Sequence, residues 1–180
     1  MKLLGFNRND RRKGFTLPEL MIAITIAGLI TAGAVFSLNL WARSSMSLGN
    51  YADMSGSCRR ALDVFASDVR MANGVSASTN SSFTFTAYDE TNSTVTVSYV
   101  FDDATDRLTR TYNGTSTVLL EDVSQFNFAY YDLNRNATTN ALSVKEVQIE
   151  AILQKEVLTV ANTDEIIPAR FMLRNRRVSS

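Results

Sequence analysis

"RRKGFTLPELMIAITIAGLI", residues 11–30, is the stretch on which the fold turns. It joins a basic segment to an apolar one, and the junction holds a proline and a lone carboxylate, Pro18 and Glu19. From Leu20 to Ala42 no residue is charged. As a helix at ~1.5 Å per residue, that run reaches roughly 35 Å, enough to cross a bilayer core. The residues before Phe15 include Lys2, Arg8, Arg11, Arg12 and Lys13 against Asp10 alone. Such a leader stays on the cytoplasmic side and places everything after Arg43 on the outer side. A secretory signal cut after the small-x-small run Ala32-Gly33-Ala34 is the competing reading. Its apolar part would be long for a signal, and an acid at its entrance would serve no purpose.

The helical pattern continues past the apolar run. Leu48, Tyr51, Cys58, Leu62, Phe65, Val69 and Ala72 recur at three- and four-residue steps, with Ser55 the one polar member. Asp53, Arg59, Arg60, Asp63, Asp68 and Arg70 are assigned to the other faces. This predicts one helix over 15–73, ~88 Å long, apolar all round at first and amphipathic afterwards, ended by Asn73-Gly74. The stripe is expected to pack on the chain's own sheet, with Cys58 a buried, inert thiol.

Beyond Gly74 the texture changes. "SASTNSS" (76–82) reads as a polar loop, and period-two alternation follows. Phe83, Phe85 and Ala87 alternate with polar neighbours, as do Val95, Val97 and Tyr99. Further strands are predicted at 107–112, 118–120, 125–132, 144–153 and 169–173, with "FDDATDRL" a hairpin turn. A long helix followed by short antiparallel strands indicates an α+β fold. The expected organisation is a leader at 1–14, a membrane helix at 15–42, an amphipathic extension at 43–74 and an antiparallel β head at 75–180.

Composition narrows the chemistry. The 180 residues contain no histidine and one cysteine, which removes His-dependent triads, His-ligated metals, an intramolecular disulfide and Cys-based zinc clusters. Lys+Arg and Asp+Glu balance at 18 each, and without its leader the chain is mildly acidic, so no nucleic-acid partner is expected. Asp132, Asn134 and Asn136 have the spacing that opens a calcium loop, but Ala137 replaces the required glycine and Ser143 stands at the twelfth position. An Asn-rich turn is the preferred reading, and no cofactor is expected. Arg170, Arg174, Arg176 and Arg177 make a basic carboxyl end. It reads as a solvated strand end, with docking on an acidic subunit the alternative.

"KGFTLPEL" followed by a long apolar helix resembles the class III signal of type IV pilins and type II secretion pseudopilins. The resemblance implies cleavage by prepilin peptidase between Gly14 and Phe15, and N-methylation of Phe15. It makes Glu19 the acid at the fifth mature position, and Gly28 matches a helix glycine of the family. "YVFDDATDRLTR" and "RFMLRNRR" look like minor subunits of the J or W type. Two departures stand out: Pro18 occupies a usually aliphatic position, and Phe36 stands where many major pilins carry proline. An early-helix proline is tolerated, because its missing N–H would have had no intrahelical partner.

The implied function is a structural minor pilin or pseudopilin, without catalytic residues, anchored in the bacterial inner membrane and assembled near the tip of a pilus or pseudopilus. The implied partners are prepilin peptidase, inner membrane lipid and other minor and major subunits. A membrane-tethered periplasmic enzyme or ligand-binding domain is the alternative. A carboxylate inside a membrane helix needs a partner, and the α-amine created at Phe15 is largely cationic, with a pKa near ~7.7–8.0. Glu19 of one chain is expected to meet that amine of the next.

Overall fold

The computed structural model describes residues 14–89, 91–157 and 160–174. One helix and eight strands follow in chain order: α1 (Leu17–Met71), β1 (Ala72–Ser78), β2 (Ser82–Tyr88), β3 (Thr94–Asp102), β4 (Arg107–Tyr112), β5 (Thr115–Leu120), β6 (Val123–Tyr131), β7 (Glu146–Val157) and β8 (Val160–Met172). The architecture is α+β, and the chain divides into two units, one ending at Ser44 and one spanning Ser45–Ser180.

In the first unit the described side chains from Gly14 to Trp41 are all exposed. An apolar helix with no protein around it is stable only where another apolar medium covers it. Among the described residues, α1 is the one helix long and apolar enough to cross a membrane.

The second unit carries the core. Strands β1 to β5 form an antiparallel meander in sequence order, and β6, β7 and β8 form a separate antiparallel sheet. The expected β head is thus split in two. Phe65 of α1 reaches both parts: its ring lies 4.8 Å from that of Tyr99 on β3, 6.0 Å from Phe128 on β6 and 5.3 Å from Phe171 on β8. Such aromatic pairs contribute ~0.5–1.5 kcal/mol each beyond area burial. Tyr130 of β6 adds a polar tie, its hydroxyl bonding the carbonyls of Thr79 and Ser82, each at 2.8 Å.

Three expectations need correction. The helix ends at Met71, and Asn73-Gly74 lies within β1, where the pairing with β2 is irregular between Ala72 and Gly74. The other Asn-Gly pair, Asn113-Gly114, is the turn: both residues have positive φ (49° and 82°) and link β4 to β5. Positive φ at both central residues is the type I′ turn, whose twist matches that of the flanking strands. Second, "SAS" of the expected loop is the end of β1. Third, the buried line on α1 is Met54, Cys58, Ala61, Phe65, Asp68 and Val69, with Ala72 already in β1, while Leu48 and Tyr51 are exposed and Leu62 is half-buried.

Asp68, assigned to a solvated face, is therefore a core residue. Its Oδ2 accepts from Arg110 Nε at 2.6 Å and from the Tyr99 hydroxyl at 2.5 Å, and its Oδ1 accepts from Arg110 Nη2 at 2.9 Å. Position 68 falls seven residues after Ala61 and three after Phe65, on the face that meets the sheet. Paired by a bidentate arginine, a carboxylate can be buried there.

Candidate functional site

The residues expected to be processed and to take part in assembly, Gly14, Phe15 and Glu19, lie at the start of α1. Gly14, Phe15 and Thr16 precede the helix, so the bond between Gly14 and Phe15 sits outside it, with both residues exposed. That is the state a peptidase requires, because a helical peptide bond is not open to an extended active-site cleft. Thr16 is the N-cap. Its backbone N–H and its hydroxyl both donate to Glu19 Oε2, each at 3.0 Å, and the Leu20 N–H donates to the Thr16 carbonyl at 3.1 Å. The carboxylate at the third helical position reaching back to the N-cap amide is one arm of a capping box. Pro18, the second helical residue, has no N–H to leave unsatisfied there.

Thr16 is the functional residue that the sequence reading missed. The signal was present: Thr16-Leu17-Pro18-Glu19 is the Ser/Thr-x-x-Glu pattern that marks a helix start before an apolar run. The cap engages Oε2 and orients the carboxylate at the helix entrance, while an ionised carboxylate can accept further donors through its other oxygen. The leader residues 1–13 lie outside the described residues.

Gly28 is exposed, and a Cβ there would meet nothing within 4 Å. It borders a shallow groove with Thr31, Ala32, Val35 and Phe36 on the apolar half of α1. Thr25, Thr31 and Asn39 return side-chain donors to carbonyls four residues earlier, at 2.8, 2.8 and 2.9 Å, so these three donors are satisfied within the helix rather than facing lipid.

In the head, the Asp132 segment is a self-contained turn. Asp132 Oδ1 accepts the N–H of Asn134 at 2.8 Å and of Asn136 at 2.9 Å, and Arg135 between them has φ +65°. This is an Asx turn, the preferred reading of that segment. Among the described residues no group of three or more His, Cys, Asp or Glu is placed to hold a metal ion. The basic end is built rather than loose: the Arg170 guanidinium lies 3.9 Å over the Tyr131 ring, and its Nε donates to Gln148 Oε1 at 2.9 Å. Arg174 is exposed, and Arg176 and Arg177 lie outside the described residues.

Residues 9–35 match the family model described as the prokaryotic N-terminal methylation motif. No curated protein matches the chain. The match covers the expected cleavage position, Glu19 and much of the apolar stretch, and it bears out the prepilin-type methylation signal read from the sequence. The head lies beyond the match.

Proposed function

We propose that the chain is a structural minor subunit of a type IV pilus or type II secretion pseudopilus, placed near the tip and without catalytic activity. Prepilin peptidase removes residues 1–14 and methylates Phe15. The apolar half of α1 holds the subunit in the inner membrane, with the head on the periplasmic side, until assembly. The observation that carries this reading is the methylation motif at 9–35, whose scissile bond lies just outside a capped helix start. Further support comes from the sequence resemblance of the head to J- and W-type subunits and from the absence of histidine. Within the assembly, Glu19 meets the α-amine of the adjoining subunit, neutralising two charges in a dry setting and setting axial register.

The test is mass spectrometry of the protein extracted from membranes of cells that contain prepilin peptidase. The expected amino terminus is N-methylated Phe15. Gly14→Val should abolish processing, because the peptidase must approach that backbone closely. A mature chain beginning at Val35 would establish ordinary secretion instead.

A further inference from the structure

The three-stranded sheet has electrically opposite ends. At one end of β7, Gln154 donates its N–H to the Asp122 carbonyl, and Val123 donates to the Asp106 carbonyl, which brings the β3–β4 turn alongside. This end gathers five carboxylates, Asp102, Asp103, Asp106, Glu121 and Asp122, all exposed. Arg107 pairs with Glu121 at 3.1 Å and Lys155 with Asp122 at 3.6 Å, while Arg60 of α1 lines the adjoining cleft. The surplus is negative. Asp102 is held below the usual carboxylate range by the Thr105 hydroxyl and then the Ala104 amide, so it stays charged.

At the other end of β7, Glu146 pairs with Met172 and Gln148 with Arg170. From Glu146 to Gln154 is about 26 Å at ~3.3 Å per residue. Here Arg135, Lys145, Arg170 and Arg174 stand against Asp132, Glu146 and Glu150, the last accepting from Gln148 Nε2 at 2.6 Å beside Arg170, which leaves a surplus of one positive charge. Glu146 is buried, and its two oxygens are shared between two guanidinium groups, Arg135 at 3.8 Å and Arg170 at 3.6 Å. One carboxylate cannot neutralise both. Arg170 is already clamped between the Tyr131 ring and Gln148, so ordering that side chain costs little on docking, and the Asx turn fixes the backbone that carries Arg135.

We propose that these ends are the two halves of a head-to-tail contact, in which the Arg135–Arg170–Arg174 end of one copy receives the Asp102–Asp106 turn of a second copy. The two surfaces are different patches of the same chain, so the contact is heterologous and open, the kind that extends a filament rather than closing a dimer. Complementary charge sets register and partner choice more than raw affinity. The inference rests on the subunit reading above and deepens it: the minor subunit enters as a short run of copies.

The test uses the full chain in membranes, with the photo-crosslinker p-benzoylphenylalanine in place of Ala104, which is exposed on the acidic turn. The expected product is a two-copy adduct whose linked peptide falls within residues 132–146 or 166–174. Arg135→Glu with Arg174→Glu should lower its yield at least five-fold. Mixing that variant with probe-bearing copies that carry Asp103→Arg and Asp106→Arg should restore it, since the swapped ends match again. Adducts mapping elsewhere, adducts only to other proteins, insensitivity to charge reversal, or no recovery in the mixture would each overturn the proposal. Leader cleavage is scored by mobility on the same gel, so failure of processing is seen separately from failure of the contact.

Discussion

Glu19 has two carboxylate oxygens, and the cap on α1 engages only Oε2 in the described hydrogen bonds. The cap and the intersubunit charge pair are therefore compatible, and they can be separated by substitution. Thr16→Ala removes the hydroxyl donor but keeps the carboxylate and the backbone N–H, so it should fray the helix start by about 0.5–1 kcal/mol and leave incorporation largely intact. Glu19→Gln keeps an acceptor for the Thr16 amide but loses the charge, while Glu19→Leu loses both. Both Glu19 variants should insert and be cleaved, and both should be recruited poorly, because truncating one partner of a buried charge pair typically costs ~3–5 kcal/mol against ~0–1 for an exposed one. The measurement is the fraction of processed protein that co-purifies with filaments or partner pilins. Normal recruitment of both would make Glu19 an interfacial acid with no assembly role. The cleavage position and the acid were legible because they form a contiguous motif. The cap was equally legible, since Thr16 and Glu19 stand at the Thr-x-x-Glu spacing of a capping box.

At the scale of the element, α1 meets the five-stranded sheet through Asp68. Charge alone misled there: a carboxylate between Ser67 and Val69 reads as solvated unless its partner is known, and Arg110 is 42 residues away. No spacing rule links the two. The apolar stripe was legible where it lies against the strands, from Cys58 to Ala72, and overextended at Leu48 and Tyr51, which share its period but are exposed. Strand β1 escaped because "ANGVSAS" has little alternation and no aromatic residue; it forms as an edge strand with two irregularities, held by its partner. Asp68→Ala leaves a half-buried guanidinium and a buried tyrosine hydroxyl without their acceptor. It should destabilise the 45–180 fragment by about 3 kcal/mol in urea unfolding. Asp68→Asn, which retains one good acceptor, should cost less. Equal stability of the alanine variant would mean that the network contributes nothing net to docking of α1 on the sheet.

For the whole molecule, the unit that begins at Ser45 contains the amphipathic part of α1 and both sheets, and it should fold without the membrane-spanning stretch. A fragment starting at Gly74 loses Phe65 and its contacts to both sheets and should aggregate through the uncovered faces. That two sheets rather than one would form was not legible, since strand alternation carries no mark of which strand ends a sheet. The junctions between these parts share a chemical weakness. Tyr99 lies between α1 and the five-stranded sheet, and Tyr130 ties the three-stranded sheet to the β1–β2 turn. Burial, and then the Asp68 charge, push the Tyr99 phenol far above its ordinary range; burial does the same to Tyr130. A raised pKa means that the folded state keeps its proton after the unfolded chain has lost it. The stabilisation is fully present below the unfolded value of ~10 and declines as pH rises above it, by up to ~1.4 kcal/mol per pH unit for each tyrosine. Urea unfolding of the 45–180 fragment between about pH 9 and pH 12 should therefore show a steep alkaline loss of stability. Tyr99→Phe and Tyr130→Phe should each start from lower stability at neutral pH, since each abandons a hydrogen bond, yet each should lose less on going alkaline, and the double variant least of all. If both single variants kept the full alkaline slope, the two hydroxyls would be ionising in the folded head, and the junctions would be open to solvent.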